Sequence, residues 1–266
     1  MPTPTNKALI ILQENSGQTP FDQSIPPSIR QQANGIVDGL TERLEDTLAI
    51  LQGAGRYDVI HLLTDNLCSR AKLLDALVLE TQNQRKIDLI VLGHGAAEKL
   101  VLKVTPHLRG GNGANGNIQS LLADAQTRGV SSLNLRMVYM CNCFGSTLND
   151  DWLAIGAKAS VGSRQLDMMP EPMTTFFIHN WVTGQKVKDA AKNAYEATIP
   201  FYIPVYPPTV ETTYRTLEVP YPCPTLTDPL RMCTRRLQIP DGVKVTPNTY
   251  VDQTKLIVSG NQDLRF

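Results

Sequence analysis

The chain has 266 residues, 25 lysines and arginines against 25 aspartates and glutamates, and 42% hydrophobic residues. That length gives one large domain or two small ones, large enough to fold without disulfides or a metal, and ordinary hydrophobicity at zero net charge excludes a disordered chain. The balanced charge gives no basic surface for nucleic acid or an anionic membrane, and no apolar run approaches the ~20 residues of a membrane span.

The first two thirds alternate apolar runs with helical patterns. Lys7–Leu12 is a predicted buried strand; its apolar run, Ala8 to Leu12, is shorter than the roughly 7–15 residues of a signal-peptide core. Residues 14–27 are polar and Pro-rich and predict a loop. Ile36, Leu40, Leu44, Leu48 and Leu51 fall at spacings of three and four, which predicts a helix over 28–53 closed by Gly53 and Gly55. Tyr57–Leu63 is a second strand, 68–83 a helix, and Ile87–Leu92 a third strand running into Gly93-His94-Gly95. A Gly/Asn-rich loop at 110–117 precedes a helix over about 118–128. Leu135–Met140 is a fourth strand that ends at Cys141-Asn142-Cys143-Phe144-Gly145-Ser146. A short helix over 147–156, a fifth strand at Ala159–Gly162 and helices near 172–183 and 186–197 follow. Continuous apolar strands alternating with helices predict an α/β fold, a mostly parallel sheet covered by helices on both faces.

The remainder differs. From Pro200 to Pro240 prolines and Tyr-Thr stretches replace helical periodicity, and prolines at such density exclude central strands. Residues 1–200 are read as the α/β domain. Residues 201–266 are read as an extended β strap packed on the same core, with a terminal hairpin at 243–258.

The five cysteines, Cys68, Cys141, Cys143, Cys223 and Cys233, are odd in number and scattered, which predicts reduced thiols in a cytoplasmic setting. Cys141 and Cys143 stand too close together, without neighbouring ligands, for zinc; no metal or cofactor is expected. Strand ends carry the chemistry. In an open parallel sheet ligands bind at the carboxyl ends of the strands, and His94 and the Cys141/Cys143 pair each follow an apolar run. On neighbouring strands, an imidazole and a thiol would face each other there, with small residues beside both. The alternative for each residue alone is a core thiol or a capped polar end. His61, His107 and His179 lack this context and are read as structural. Gly111–Gly116 fits GxGxxG, but no strand precedes it and no acid follows about 20 residues on, so a nucleotide site is the weaker reading.

A strand ending in His-Gly, then 49 residues from His94 to Cys143, then a strand ending in Cys-x-Gly, resembles the caspase-type cysteine peptidases. These include caspases, metacaspases, legumains, gingipains, separases and bacterial CHAT-type peptidases. The stretch from Leu135 to Ser163, with Ile155-Gly-Ala157 and Val161-Gly-Ser163, is most similar to the CHAT type. The resemblance covers about residues 5–200. It implies a caspase-like three-layer sandwich and a cysteine endopeptidase without cofactor, acting on a protein or peptide in a signalling or defence pathway, with a possible regulatory protein partner. It implies His94 as the general acid, Cys143 as the nucleophile, and the Gly95 and Cys143 backbone amides as the oxyanion hole. Asn142 stands where the family has Ala, and Cys141 is the alternative nucleophile. In that fold a charged pocket near the dyad selects the residue before the scissile bond. Arg164 and Asp167 are the substrate-binding candidates, with Asp150 and Asp151 after the cysteine; the acids favour a basic residue. A catalytically silent protein-binding module of the same fold is the alternative function.

Overall fold

Seven-residue apolar runs make the centre of the sheet, and the chain threads them in turn. The computed structural model describes residues 5–14, 55–111, 117–167, 170–203, 208–222, 232–246 and 248–266. The expected loop and helix over 15–53, and most of the Gly-rich loop, lie outside the described residues. In chain order the elements are β1 (Lys7–Gln13), β2 (Val59–Thr64), α1 (Arg70–Gln82), β3 (Lys86–Leu92), and three two-residue strands β4 (Gly95–Ala96), β5 (Lys99–Leu100) and β6 (Leu108–Arg109). Next come α2 (Ile118–Thr127), β7 (Leu135–Cys141), α3 (Asn149–Ala154), β8 (Ala159–Ser163), α4 (Pro170–Val182) and α5 (Val187–Tyr202). The chain closes with β9 (Thr209–Pro222), β10 (Met232–Thr246), α6 (Thr249–Gln253) and β11 (Leu256–Gly260).

The main sheet has the order β11-β8-β7-β3-β1-β2. Five strands are parallel and β11 is antiparallel to β8. β1 and β7 are buried almost along their length because both faces are covered. Leu73, Leu77, Leu121 and Trp152 close one face over Ile10, Leu89 and Val138. Phe177, Trp181, Ala190 and Ala194 close the other over Leu9, Ile90 and Tyr139. The expected α/β architecture is therefore present, and from residue 55 to 203 each expected strand and helix lies within about five residues of its sequence-derived range.

Helix ends follow local chemistry. The Ser69 hydroxyl accepts from Lys72 N–H at the start of α1, and the Asn117 side chain accepts from Gln119 N–H at the start of α2. α5 runs five residues past its expected end and through Pro200. Tyr202 and Ile199 pack on Val251 there, and that burial holds the last turn.

The C-terminal region differs from its expected form. β9 and β10 form a long antiparallel hairpin that pairs with no strand of the main sheet. The expected hairpin at 243–258 is not formed. Asn248 caps α6 by accepting from Tyr250 N–H, which turns the chain after β10, and β11 then joins the main sheet. Pro220, Pro222 and Pro240 fit because both strands of a two-stranded sheet are edges.

At the amino edge of the sheet a polar cluster is fully buried. Asp88 on β3 has no exposure and accepts from Tyr57 Oη and Trp181 Nε1, each at 2.8 Å. Arg136 on β7 grips the same carboxylate with Nε at 2.8 Å and with Nη2.

Candidate active site

β3 and β7 are adjacent and parallel, with Leu92 opposite Cys141. Both chains leave the sheet at the same level, so the His94 turn and the Cys143 turn emerge side by side at the carboxyl edge. Their backbones touch: Gly93 N–H donates to the Cys141 carbonyl at 3.2 Å. A β-carbon on Gly95 would collide with Asn142 Nδ2 and the Cys143 carbonyl. Glycine at 95 is thus a requirement of close approach. His94 and Cys143 are both half-buried, while Cys141 is buried in the core against the α4/α5 layer.

The environment of Cys143 is mixed. Asp167 N–H donates to Cys143 Sγ at 3.4 Å. Burial pushes the thiol above its ordinary value; the backbone N–H groups of Asp167 and of Cys143 itself pull it down, and the Asp167 carboxylate pushes it up. The balance is a neutral thiol at physiological pH, so nucleophilic attack needs a base to remove its proton.

The turn after Cys143 is sharp. Phe144 has φ 58°, the left-handed region that side chains disfavour. Two contacts hold it. Phe144 N–H donates to the Gln165 carbonyl, and Gly145 packs on Gly162 of β8. A β-carbon on Gly162 would run into the backbone of Gly145 and Ser146. Ser163 Oγ donates to the Asn142 carbonyl at 2.6 Å. The Gly-Ser end of β8 is therefore a seat for the cysteine turn, which gives both small residues a physical reason.

Asn142, the departure from the family pattern, is 1% exposed. Its Nδ2 donates to the Cys143 carbonyl at 2.9 Å, and its Oδ1 has no hydrogen-bond partner among the described residues. Sequence reasoning also missed the support from the C-terminal region. Arg164 N–H donates to the Lys255 carbonyl at 2.9 Å, Gln165 N–H to the Gln253 carbonyl at 2.8 Å, and Thr254 Oγ1 to the Leu166 carbonyl at 3.1 Å. The turn between α6 and β11 thereby holds the segment that carries Asp167. Glu14, at the end of β1, was not a candidate either; its Oε2 accepts from His94 N–H at 3.1 Å.

The other candidates separate by position. Asp167 lies beside the thiol. Arg164 Nη1 pairs with Asp252 Oδ2 at 2.8 Å, both side chains being 54% exposed. Asp151 is buried and accepts from Gly111 N–H at 2.9 Å and Gln119 Nε2 at 3.1 Å. Asp151 thus anchors the first residue of the Gly-rich loop's GxGxxG stretch to the start of α3. His61 Nε2 pairs with buried Glu80 at 2.7 Å, His107 Nδ1 accepts from Leu102 N–H, and His179 is exposed on α4. Cys68 is buried, its thiol pushed up to about 11, first by burial. Cys68, Cys141 and Cys143 are free thiols, and no group of metal-ligating side chains occurs among the described residues. Among them, too, no helix is long and apolar enough to cross a membrane.

Neither a protein-family model nor a curated protein sequence matches the chain.

Proposed function

We propose that the protein is a cysteine endopeptidase of the caspase-like class that cleaves peptide bonds through Cys143 and His94. The observation that carries this reading is the meeting of the His94-Gly95 and Cys143 turns at the carboxyl edge of two adjacent parallel strands. The mostly parallel six-stranded sheet with helices on both faces supports the reading, since the caspase-type resemblance implies a three-layer sandwich.

The reaction follows from these groups. His94 accepts the Cys143 proton as Sγ bonds to the scissile carbonyl carbon. Backbone N–H groups at Gly95 and Cys143 receive the developing oxyanion. His94 then gives the proton to the departing amine, the C–N bond breaks, and a thioester remains. Water, deprotonated by His94, attacks the thioester; the acid leaves and the proton returns to sulfur. The neutral thiol requires the imidazole in the first step. No metal or organic cofactor enters the scheme. Three free thiols suit a reducing, cytoplasmic compartment.

Specificity is assigned to Asp167. It is the acidic side chain adjoining the thiol, whereas Arg164 is engaged by Asp252 on the exposed side. A carboxylate there attracts a Lys or Arg side chain before the scissile bond. The test is a fluorogenic peptide panel with Arg, Lys, Asp, Asn and Leu at that position, applied to wild type and His94→Ala. Turnover of the Arg and Lys peptides, lost in the variant, supports the reading. Preference for Asp moves the pocket to Arg164.

A second reading has its own observation. Asn142 fills the space between the two turns and the thiol is raised, features expected of a silent binding module. That reading gives no turnover across the panel and slow alkylation of Cys143.

A further inference from the structure

Glu14 is a buried carboxylate at the carboxyl edge, 9% exposed, and no ion pair to it occurs among the described residues. A polar group so placed is costly unless it is hydrogen-bonded. Its surroundings are those of the His94 turn. The Glu14 N–H donates to the Leu92 carbonyl at 2.8 Å, which extends the β1–β3 ladder one residue past the end of β1. Its Cβ stands 2.9 Å from where a side chain on Gly93 would begin. Its Oε2 takes the His94 N–H at 3.1 Å.

The geometry has a simple cause. Successive N–H groups of a parallel strand point to opposite neighbours. Gly93 N–H points to β7 and finds the Cys141 carbonyl. His94 N–H points to β1, past the end of that strand at Gln13. The Glu14 side chain folds back and supplies the acceptor. A carboxylate makes a stronger bond to an amide than a carbonyl does, and it needs no further strand.

We infer that Glu14 is the positioning residue of the His94-Gly95 turn, and that its carboxylate fixes where that turn stands beside the Cys143 turn. The inference rests on the peptidase reading. Glu14 touches neither the thiol nor the scissile bond; it acts through the backbone of the residue that does.

The test uses the full chain with Glu14→Gln, Glu14→Ala and Glu14→Met. Gln keeps an oxygen acceptor, and Met fills the same space without one. Kinetics on the Arg peptide and hydrogen exchange at the His94 amide are both read. The expected result is a kcat lowered roughly 30- to 100-fold in the Ala and Met variants, the scale of a reacting group misplaced by about an ångström. KM stays within about twofold, and the Gln variant keeps at least about a third of wild-type kcat. The His94 amide exchanges faster in Ala and Met and as wild type in Gln. A purely structural role would lower the melting temperature in all three variants without this split. Ala and Met variants within about threefold of wild type, or a Gln variant as impaired as Ala, would overturn the inference. Absence of turnover in wild type sinks the peptidase reading instead; the exchange at His94 then decides whether Glu14 holds the turn, and an unchanged amide in Ala and Met overturns that as well.

Discussion

β3 and β7 carry a polar pair at each end, and the two ends are built on opposite terms. At the amino edge Asp88 and Arg136 are buried and paired, with Tyr57 and Trp181 completing the carboxylate's partners. At the carboxyl edge, six to eight residues past Arg136, Asn142 Oδ1 has no hydrogen-bond partner among the described residues, Phe144 has a left-handed backbone, and the Cys143 thiol is shifted above its ordinary value. Strain and an under-satisfied polar group meeting at one strand end, beside a thiol, suit a place where a substrate acts.

The largest effect should appear at the amino edge. Arg136→Met leaves Asp88 buried without its cation and should lower unfolding free energy by about 3–5 kcal/mol, read by denaturant titration. The folded fraction should keep its kcat, because the carboxyl edge is untouched. A loss of kcat with stability unchanged would blur the contrast between the two ends.

Gly162→Ala should do the reverse. Its β-carbon meets the Gly145 and Ser146 backbone, at an expected cost of about 1–3 kcal/mol. The displaced Cys143 turn should lower kcat roughly 100-fold, since small misplacements of reacting groups are expensive. A variant with wild-type kinetics would show that the turn has room to spare.

Asp167→Asn sharpens the electrostatic side. The Asp167 carboxylate is one of the causes that raise the Cys143 thiol. Removing that charge favours the thiolate, so the pH midpoint of iodoacetamide alkylation at Cys143 should move down, and the preference for Arg over Leu peptides should fall about tenfold. A midpoint that moves up contradicts the assignment. Arg164→Ala is the smallest expected change: an exposed pair contributes less than about 1 kcal/mol, and kcat should stay as in wild type.

Much of this scaffold was legible in the sequence because burial on both faces writes itself as continuous apolar runs. Lys7–Leu12, Ile87–Leu92 and Leu135–Met140 needed no tertiary information. The approach of His94 to Cys143 was legible conditionally, since it required β3 and β7 to be neighbours, which only strand order supplies. Glu14 was illegible: one acid in a polar stretch carries no signal until β1 and β3 are paired. The hairpin was missed because prolines within Tyr-Thr stretches fit both a strap and a two-stranded edge sheet. Asp151 was read from its place after the cysteine as a specificity candidate, and only its bond to Gly111 N–H shows it anchoring the loop.

The central claim is that Cys143, not its buried neighbour Cys141, attacks the peptide. Its most direct test is turnover of one Arg fluorogenic peptide by wild type, Cys141→Ala and Cys143→Ala, each checked for folding by circular dichroism. The account expects wild type and Cys141→Ala to cleave at comparable rates and Cys143→Ala to release no fluorophore above background. Cleavage by Cys143→Ala, or its loss in Cys141→Ala alone, would contradict it.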